Sequence, residues 1–270
     1  MNASVILTTY NQPQWLGLVL YGYTLQQSAD FELLVADDGS GEETGKVIER
    51  YQPVFGQRLR HVWQEDDGFR KTRIMNQAVT VAQHPYLIFS DGDCIPRPDF
   101  VKIHLQRSRP GHFLSGGYFK LSPSVSQAVT KDDIVAGRVF APAWLYGQGQ
   151  PRTYKTLKLT AQGPVAALLN HLTPARASWN GHNSSGWKAD IERINGFDER
   201  MQYGGEDREL GERLINAGMR PVQIRYSTTV VHLEHARPYR TTRSLNENAN
   251  IRAATRKNRS VWTDHGIVQP

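Results

Sequence analysis

Three of the four short apolar runs before Ser90 end abruptly in a polar cluster, and helix-spaced segments separate the runs. Ser4–Thr9 (SVILTT) runs into YNQP, Phe31–Ala36 (FELLVA) into DDGS, and Tyr86–Ser90 into DGD; His61–Gln64 reads as a further strand. Between them, Trp15–Gln27, Glu42–Tyr51 and Lys71–Gln83 carry apolar residues at helical spacing, as with Ile74, Ala78, Val79 and Ala82. Strands alternating with helices at this pace predict an α/β fold with a largely parallel sheet. Such sheets bind ligands at the carboxyl ends of their strands. The clusters TTYNQ, DDGS and DGD all fall there, which turns three ordinary turns into one candidate site.

Beyond Pro98 the rhythm changes. Residues 130–177 hold scattered Gly, Pro and Lys without a clear period and read as an insertion of short helices, one at Val165–Leu172. Glu206–Ala217 is amphipathic, with Gly218 as its stop; Val222–Leu233 reads as a strand, and Ser244–Arg259 as an exposed basic helix. Three segments are expected: 1–115 and 116–235 as halves of one domain, and 236–270 as a basic tail.

Charge sharpens the last boundary. The 270 residues carry a net charge of +6, and the segment after His235 holds seven Arg/Lys against two acids. Basicity is thus a tail property. It fits a solvated helix face, or contact with anionic lipid headgroups or a phosphorylated acceptor. At 39% hydrophobic and 21% charged, the composition excludes wholesale disorder. The longest apolar runs are too short to span a bilayer, and no basic, then apolar leader opens the chain. The lone cysteine, Cys94, excludes an internal disulfide and a cysteine-based zinc cluster. A cytoplasmic protein is expected, with peripheral contact to the inner membrane face through the tail.

Each polar cluster has a bland reading beside a chemical one. Asp91-Gly92-Asp93 is a turn by composition, yet its carboxylates are hard ligands that suit Mg²⁺ or Mn²⁺. Asp37 and Asp38 cap a turn, or accept the imide hydrogen bond of a uracil. Arg70, Lys71 and Arg73 at a helix start balance Asp66 and Asp67, or face a phosphate or ribose. GHNSS is a small-residue loop able to pass close to a sugar. Glu206 and Asp207, after a double glycine, cap a helix, or one is a general base taking a proton from an attacking hydroxyl. His232 and His235 are structural, or neutral imidazole ligands for Mn²⁺.

The ordered series TTYNQP, ADDGS, GFRKTRIMNQAV, FSDGDCIP, GHNSS, INGFDE, GGEDREL and VVHLEH resembles the family 2 inverting glycosyltransferases of GT-A fold. It is most similar to those sharing a C-terminal segment with chondroitin polymerase and the animal galactosyltransferases. The resemblance covers Ser4 to His235, thinly over Thr130–Ala177. It implies a mixed, mostly parallel central sheet flanked by helices, binding a nucleotide-diphosphate sugar, UDP-linked, and Mn²⁺ or Mg²⁺. Thr8 and Tyr10 would flank the base and Asp38 would read it. Arg73 and Asn76 would face ribose and diphosphate, and Trp179 and Asn183 the donor sugar. Asp91 and Asp93 would form the metal-binding pair, joined by His232. Asp207 would be the catalytic base, with Glu206 beside it.

A glycan or glycolipid acceptor in lipopolysaccharide or surface polysaccharide synthesis follows, with no nucleic acid. Many relatives carry membrane spans or a second catalytic domain; neither is visible here, so addition of a single sugar is expected. Two other readings stand beside it. A sugar-nucleotidyltransferase is disfavoured because TTYNQP replaces a Gly-rich, basic loop after the first strand. A non-catalytic nucleotide-sugar-binding protein would not require Asp207.

Overall fold

A computed structural model describes residues 1–28, 30–236 and 241–269. The first half runs β1 (Ala3–Thr9), α1 (Pro13–Thr24), β2 (Phe31–Asp37), α2 (Glu42–Phe55), β3 (Leu59–Trp63), α3 (Lys71–Val81), β4 (Tyr86–Asp91), β5 (Cys94–Pro96), α4 (Phe100–Arg107) and β6 (His112–Ser115). There follow β7 (Gly117–Lys120) and the short helices α5 (Pro123–Ala128), α6 (Lys131–Val135), α7 (Pro142–Gly147), α8 (Leu157–Thr160) and α9 (Gly163–Leu172). The chain closes with β8 (Ser184–Trp187), α10 (Lys188–Arg193), α11 (Glu206–Asn216), β9 (Arg220–Gln223), β10 (Thr229–His232) and α12 (Thr242–Asn258). No described helix is long and apolar enough to cross a membrane.

Seven strands form the main sheet in the order β3-β2-β1-β4-β8-β6-β9. The β3-β2-β1-β4 run is parallel, and β8 is antiparallel to both β4 and β6. Helices cover both faces, so the central strands are apolar throughout rather than alternating. Val5, Leu7, Leu33, Val35 and Ile88 face α1 and α2, whereas Ile6, Leu34, Leu87 and Phe89 face α3 and α11. A second sheet, β5-β10-β7, stands beside the first and joins the DGD turn to the end of β10.

The segments 1–115 and 116–235 share one sheet, because β6 pairs with β8 and β9. The single strand expected over Val222–Leu233 is two, one in each sheet. Ile224 to Thr228 turns the chain between them, with Ser227 and Thr228 both donating to the Ile224 carbonyl. The basic helix is not a free exposed face either. Ser244, Asn248 and Thr255 are buried against the body, and Arg252 and Arg256 lie 2.6 and 3.0 Å from Glu212 on α11. Beyond it, the Asn195 side chain donates to the carbonyls of Thr263 and Val268, which fastens the end of the chain to the turn after α10.

Close helix packing at Trp179 gives a direct test of this core. A β-carbon on Gly211 of α11 would lie 2.7 Å from the Trp179 Cβ, whereas one on Gly45 of α2 would meet nothing within 4 Å. Gly45→Ala should therefore raise stability by about 0.5–1 kcal/mol through backbone entropy and helix propensity. Gly211→Ala should lower it by about 1–3 kcal/mol, because overpacking outweighs that gain. In thermal denaturation each kcal/mol corresponds to roughly 2–4 °C, and the two substitutions should shift the midpoint in opposite directions.

Candidate active site

The carboxyl ends of β1, β2 and β4 open into a cleft of about 750 Å³. Its walls include Thr8, Tyr10, Asp38, Lys71, Asp91, Asp93, Tyr118, His182, Glu206, Asp207, His232 and His235, all within one concavity. The DGD turn sits at its floor. Gly92 donates its N–H to the Thr8 carbonyl at 2.7 Å, and a β-carbon there would lie 3.0 Å from the same oxygen. A side chain at this position would pry the turn away from β1.

Asp91 and Asp93 point to different partners. Asp91 Oδ1 accepts from Lys71 Nζ at 2.9 Å and from Thr8 Oγ1 at 2.6 Å. Burial alone would raise this carboxyl, but the Lys71 ammonium and the Thr8 hydroxyl hold it well below the usual carboxylate range. Lys71 in turn is opposed by burial, yet Asp91, Asp207 and Glu206 keep its ammonium firmly protonated. Asp93 instead faces imidazoles: His235 Nε2 lies 2.8 Å and His232 Nε2 3.4 Å from its Oδ2.

This second cluster has the chemistry of a cation site. His235 Nδ1 lies 2.8 Å from the Ala236 carbonyl, an acceptor only, so that nitrogen carries the proton. In the neutral ring Nε2 then presents a lone pair to a carboxylate oxygen, an arrangement that calls for a positive charge between or on them. A mixed oxygen and imidazole donor set suits Mn²⁺ or a similar first-row ion. Cys94 Sγ belongs to the same group, but it is wholly buried and its thiol donates to Asp93 Oδ1 at 3.2 Å. Among the described residues, Asp93, His232 and His235 could together hold a metal.

Across the cleft, α11 begins at the double glycine. Gly204 and Gly205 have φ of +107° and +97°, a conformation other residues resist. Gly204 then donates its N–H to Glu206 Oε2 at 2.7 Å. Burial and the neighbouring Asp207 charge push Glu206 up to about 7. Burial raises the Asp207 carboxyl too, against the opposing pull of Lys71 and a hydrogen bond from the Gly181 N–H. Among the described residues, the buried Asp207 Oδ1 finds no hydrogen-bond donor. Other buried side-chain atoms, Tyr23 Oη and Thr44 Oγ1 among them, share this state, so what distinguishes Asp207 is its place on the cleft wall.

Asp38 sits at the end of β2, accepts from Gln64 Nε2 at 2.6 Å and from the Arg70 N–H at 2.9 Å, and is raised to about 6 by burial. The Tyr10 hydroxyl donates to Asp66 Oδ2 at 2.9 Å across the cleft rim. His182 stacks edge-on against Tyr118 at 4.5 Å, and burial lowers it to about 4, so it is a neutral ring at ordinary pH.

Four residues expected in the site lie outside the cleft wall. Arg73 is exposed on the outer side of α3. The Asn76 side chain is used up in tying α3 to the following segments, donating to Phe197 O and Glu199 Oε1 and accepting from the Phe197 N–H. Trp179 is fully buried between Phe89 and Phe113, at 5.3 and 5.6 Å. Asn183 is equally buried, bonded to His104 Nε2 and to the Gly117 carbonyl. Of the GHNSS loop, the residues that reach the chemistry are Gly181 and His182. A β-carbon on Gly181 would lie 2.9 Å from Asp207 Oδ2 and 3.1 Å from Lys71 Nζ, so only glycine lets the loop close on both.

Lys71 is the central group that the motif reading passed over in favour of Arg73. Helical spacing separates the two: Lys71 lies three and four residues before the buried Ile74 and Met75, and Arg73 falls off that stripe.

Comparison with known proteins identifies the family. Residues 4–120 match the family described as glycosyl transferase family 2, and residues 172–236 match that described as N-terminal domain of galactosyltransferase. Validoxylamine A glucosyltransferase of Streptomyces hygroscopicus subsp. jinggangensis is 29% identical, over 87% of this chain and 56% of that protein. Hyaluronan synthase of Pasteurella multocida is 32% identical over 80% of this chain but 23% of its own length. The chain thus spans about half, or less, of the curated relatives it matches. Among solved structures, a mannosyltransferase from Pyrobaculum calidifontis, in complex with GDP-Man and Mn²⁺, superimposes with a TM-score of 0.58 at 17% identity, covering 96% of this chain and 62% of that one. TarS of S. aureus in complex with UDP-GlcNAc gives 0.58 at 16% identity, over 87% of this chain and 60% of its own. The fold is the GT-A fold of these glycosyltransferases, and the chain belongs to glycosyltransferase family 2 with a galactosyltransferase-type C-terminal segment.

Proposed function

We propose that the chain transfers a sugar from a nucleotide-diphosphate donor, UDP-linked, to a hydroxyl of a glycan or glycolipid, with inversion and with Mn²⁺ or Mg²⁺ bound. The observation that carries this reading is Asp207: a buried carboxylate with an unclaimed oxygen, facing the same cleft as Asp93 and its two imidazoles. The names of relatives and neighbours support it, since they include a glucosyltransferase, glycan synthases, and complexes with GDP-Man plus Mn²⁺ and with UDP-GlcNAc.

In this reading Asp38 and Tyr10 hold the base at the end of β2, and Asp93, His232 and His235 hold the cation. When bound, that cation supplies positive charge for the donor diphosphate. The acceptor oxygen attacks the anomeric carbon from the face opposite the diphosphate. Its proton passes to Asp207, and the electron pair of the breaking bond leaves with the nucleoside diphosphate. Lys71 offsets the repulsion between Asp91 and Asp207 and favours the ionised form of Asp207 against the opposing effect of burial. His182, neutral, lies on the cleft wall without adding charge to it.

Asp207→Asn tests the base directly. It removes proton acceptance but keeps shape and capping ability, since Asn caps about as well as Asp. Transfer should fall by about 100- to 10,000-fold, with donor affinity within a few-fold in calorimetry. A near wild-type rate would reassign the base to Glu206.

The cation prediction needs no substrate. Mn²⁺ at about 100 times its dissociation constant should stabilise the wild type by roughly 2.7 kcal/mol. Asp93→Ala and His235→Ala should melt alike with and without Mn²⁺. Equal metal-induced shifts in all three proteins would refute the assignment.

Lys71 sets the pH at which the base works. Asp207 acts only when deprotonated, and the Lys71 charge lowers its pKa against burial. The rate should therefore fall as acid protonates the carboxylate, and Lys71→Met should move that acidic limb to higher pH. A profile with reduced height but an unmoved limb would show that Lys71 serves only to position Asp91.

A further inference from the structure

Between Asp133 and Asp190 the chain contains no acidic residue, yet it carries Arg138, Arg152, Lys155, Lys158, Arg176 and Lys188. The middle of this stretch folds as α8 and α9 along the edge formed by β7 and the 224–228 turn. One side of α9 is anchored there: Ala166 is buried, and Asn170 donates to Ser227 Oγ at 2.8 Å and accepts from the Tyr226 N–H at 2.9 Å. A neighbouring stripe is left uncovered by the described residues. Val165, Leu168 and Leu172, at i, i+3 and i+7, are 60%, 57% and 65% exposed, and Tyr154 and Leu157 just before α9 are 75% and 48% exposed. Single exposed apolar residues are ordinary, but a helical row of them with further large apolar neighbours marks a contact surface.

The charge around the row is of one sign. Arg152, Lys155 and Arg176 are exposed and form no ion pair with any described residue. Lys155, Lys158 and Arg225 are close enough for their charges to act on one another. Lys158 Nζ also donates to the Tyr118 carbonyl at 2.7 Å, and Tyr118 lines the cleft. The apolar row therefore belongs to a flank of the cleft on which cations predominate, the carboxylates Asp99 and Glu234 that adjoin it being paired with Arg97 and Lys120. The C-terminal helix has more of its cations engaged, since Arg252 and Arg256 share Glu212 and Arg243 pairs with Glu247, which leaves Lys257 and Arg259 exposed at its end.

We infer that α8 and α9 dock the protein on an anionic phospholipid bilayer. The apolar row of α9 enters the headgroup boundary, and the surrounding Arg and Lys side chains contact lipid phosphates. A second copy of the chain would bring like charges against like. A neutral apolar partner would leave the cations unanswered. Docking in this way would bring the Tyr118 side of the cleft close to the membrane, where an acceptor carried on a lipid is presented. The inference goes beyond sugar transfer and does not depend on which residue is the base.

The full-length chain is tested by flotation with vesicles of phosphatidylcholine alone and of phosphatidylcholine with phosphatidylglycerol. Wild type should float with the anionic vesicles only. Recovery should drop as salt shortens the Debye length from about 10 Å at 0.1 M to about 3 Å at 1 M. Leu168→Glu with Leu172→Glu changes exposed side chains only, so its melting curve should be unaltered while its vesicle partitioning falls at least tenfold. Lys257→Glu on the C-terminal helix should float like wild type. The inference is overturned if wild type does not bind anionic vesicles, or if the double variant binds them equally. It is overturned as well if light scattering shows a wild-type dimer that the double variant dissociates, with no vesicle binding. Each of these results would leave the Asp207→Asn outcome untouched.

Discussion

Lys71 places one ammonium where three carboxylates converge: Asp91 from the end of β4, and Glu206 and Asp207 from the start of α11. Without it, the cleft would hold that much negative charge out of water, and the acids would have to take up protons or move apart. With it, Asp91 stays ionised and bonded to β1 through Thr8, and Asp207 stays within reach of ionisation despite its burial. The cost of burying charge is met here by geometry, since the ammonium sits 2.9 Å from Asp91 Oδ1. The same pairing frees Asp93, one glycine further on, to turn toward the histidines.

The far end of the chain holds the acids of α11 in place. Asn248 of α12 donates to the carbonyls of Gln202 and Gly204, at 2.8 and 3.0 Å, in the loop that presents Glu206 and Asp207. Leu245 and Arg252 fill the space that β-carbons on Gly204 and Gly205 would need. The paired glycines thus serve twice, by adopting positive φ and by admitting the C-terminal helix. Part of what reads in the sequence as a surplus of positive charge is a structural brace, since Arg252 and Arg256 share Glu212, while Arg237 and Arg240 lie outside the described residues. A further group of cations without ion pairs among the described residues, Arg152, Lys155 and Arg176, lies in the insertion.

The parallel half of the fold was legible because β1, β2 and β4 are mostly apolar runs ending in a polar turn. Those ends, Thr8, Asp38 and Asp91, do meet in one cleft. The second half was less legible for a physical reason. Trp179, Asn76 and Asn183 are polar or aromatic residues in suggestive motifs, but each is consumed by packing or by hydrogen bonds with residues remote in sequence, such as Phe197 and Gly117. Motif membership cannot separate a side chain that faces a ligand from one that supports its neighbour. Helical phase can, and it favours Lys71 over Arg73. The break inside Val222–Leu233 was invisible, because strand-forming residues continue up to and beyond a turn set by tertiary contacts with Asn170 and Ser115.

The small sheet explains how two distant motifs become one site. Antiparallel pairing sets His232 opposite Cys94, and the Leu233 N–H donates to the Asp93 carbonyl at 2.9 Å. This register brings HLEH against the last acid of DGD. Because side chains alternate along a strand, a slip of one residue would turn His232 away from Asp93 and expose Val231 in its place. That slip is resisted from both sides, since Val230 and Val231 are fully buried and β7 pairs along the other edge of β10. The proposed cation site therefore rests on apolar packing that carries no charge of its own. A change that loosens Val231 would weaken metal binding without touching a ligand.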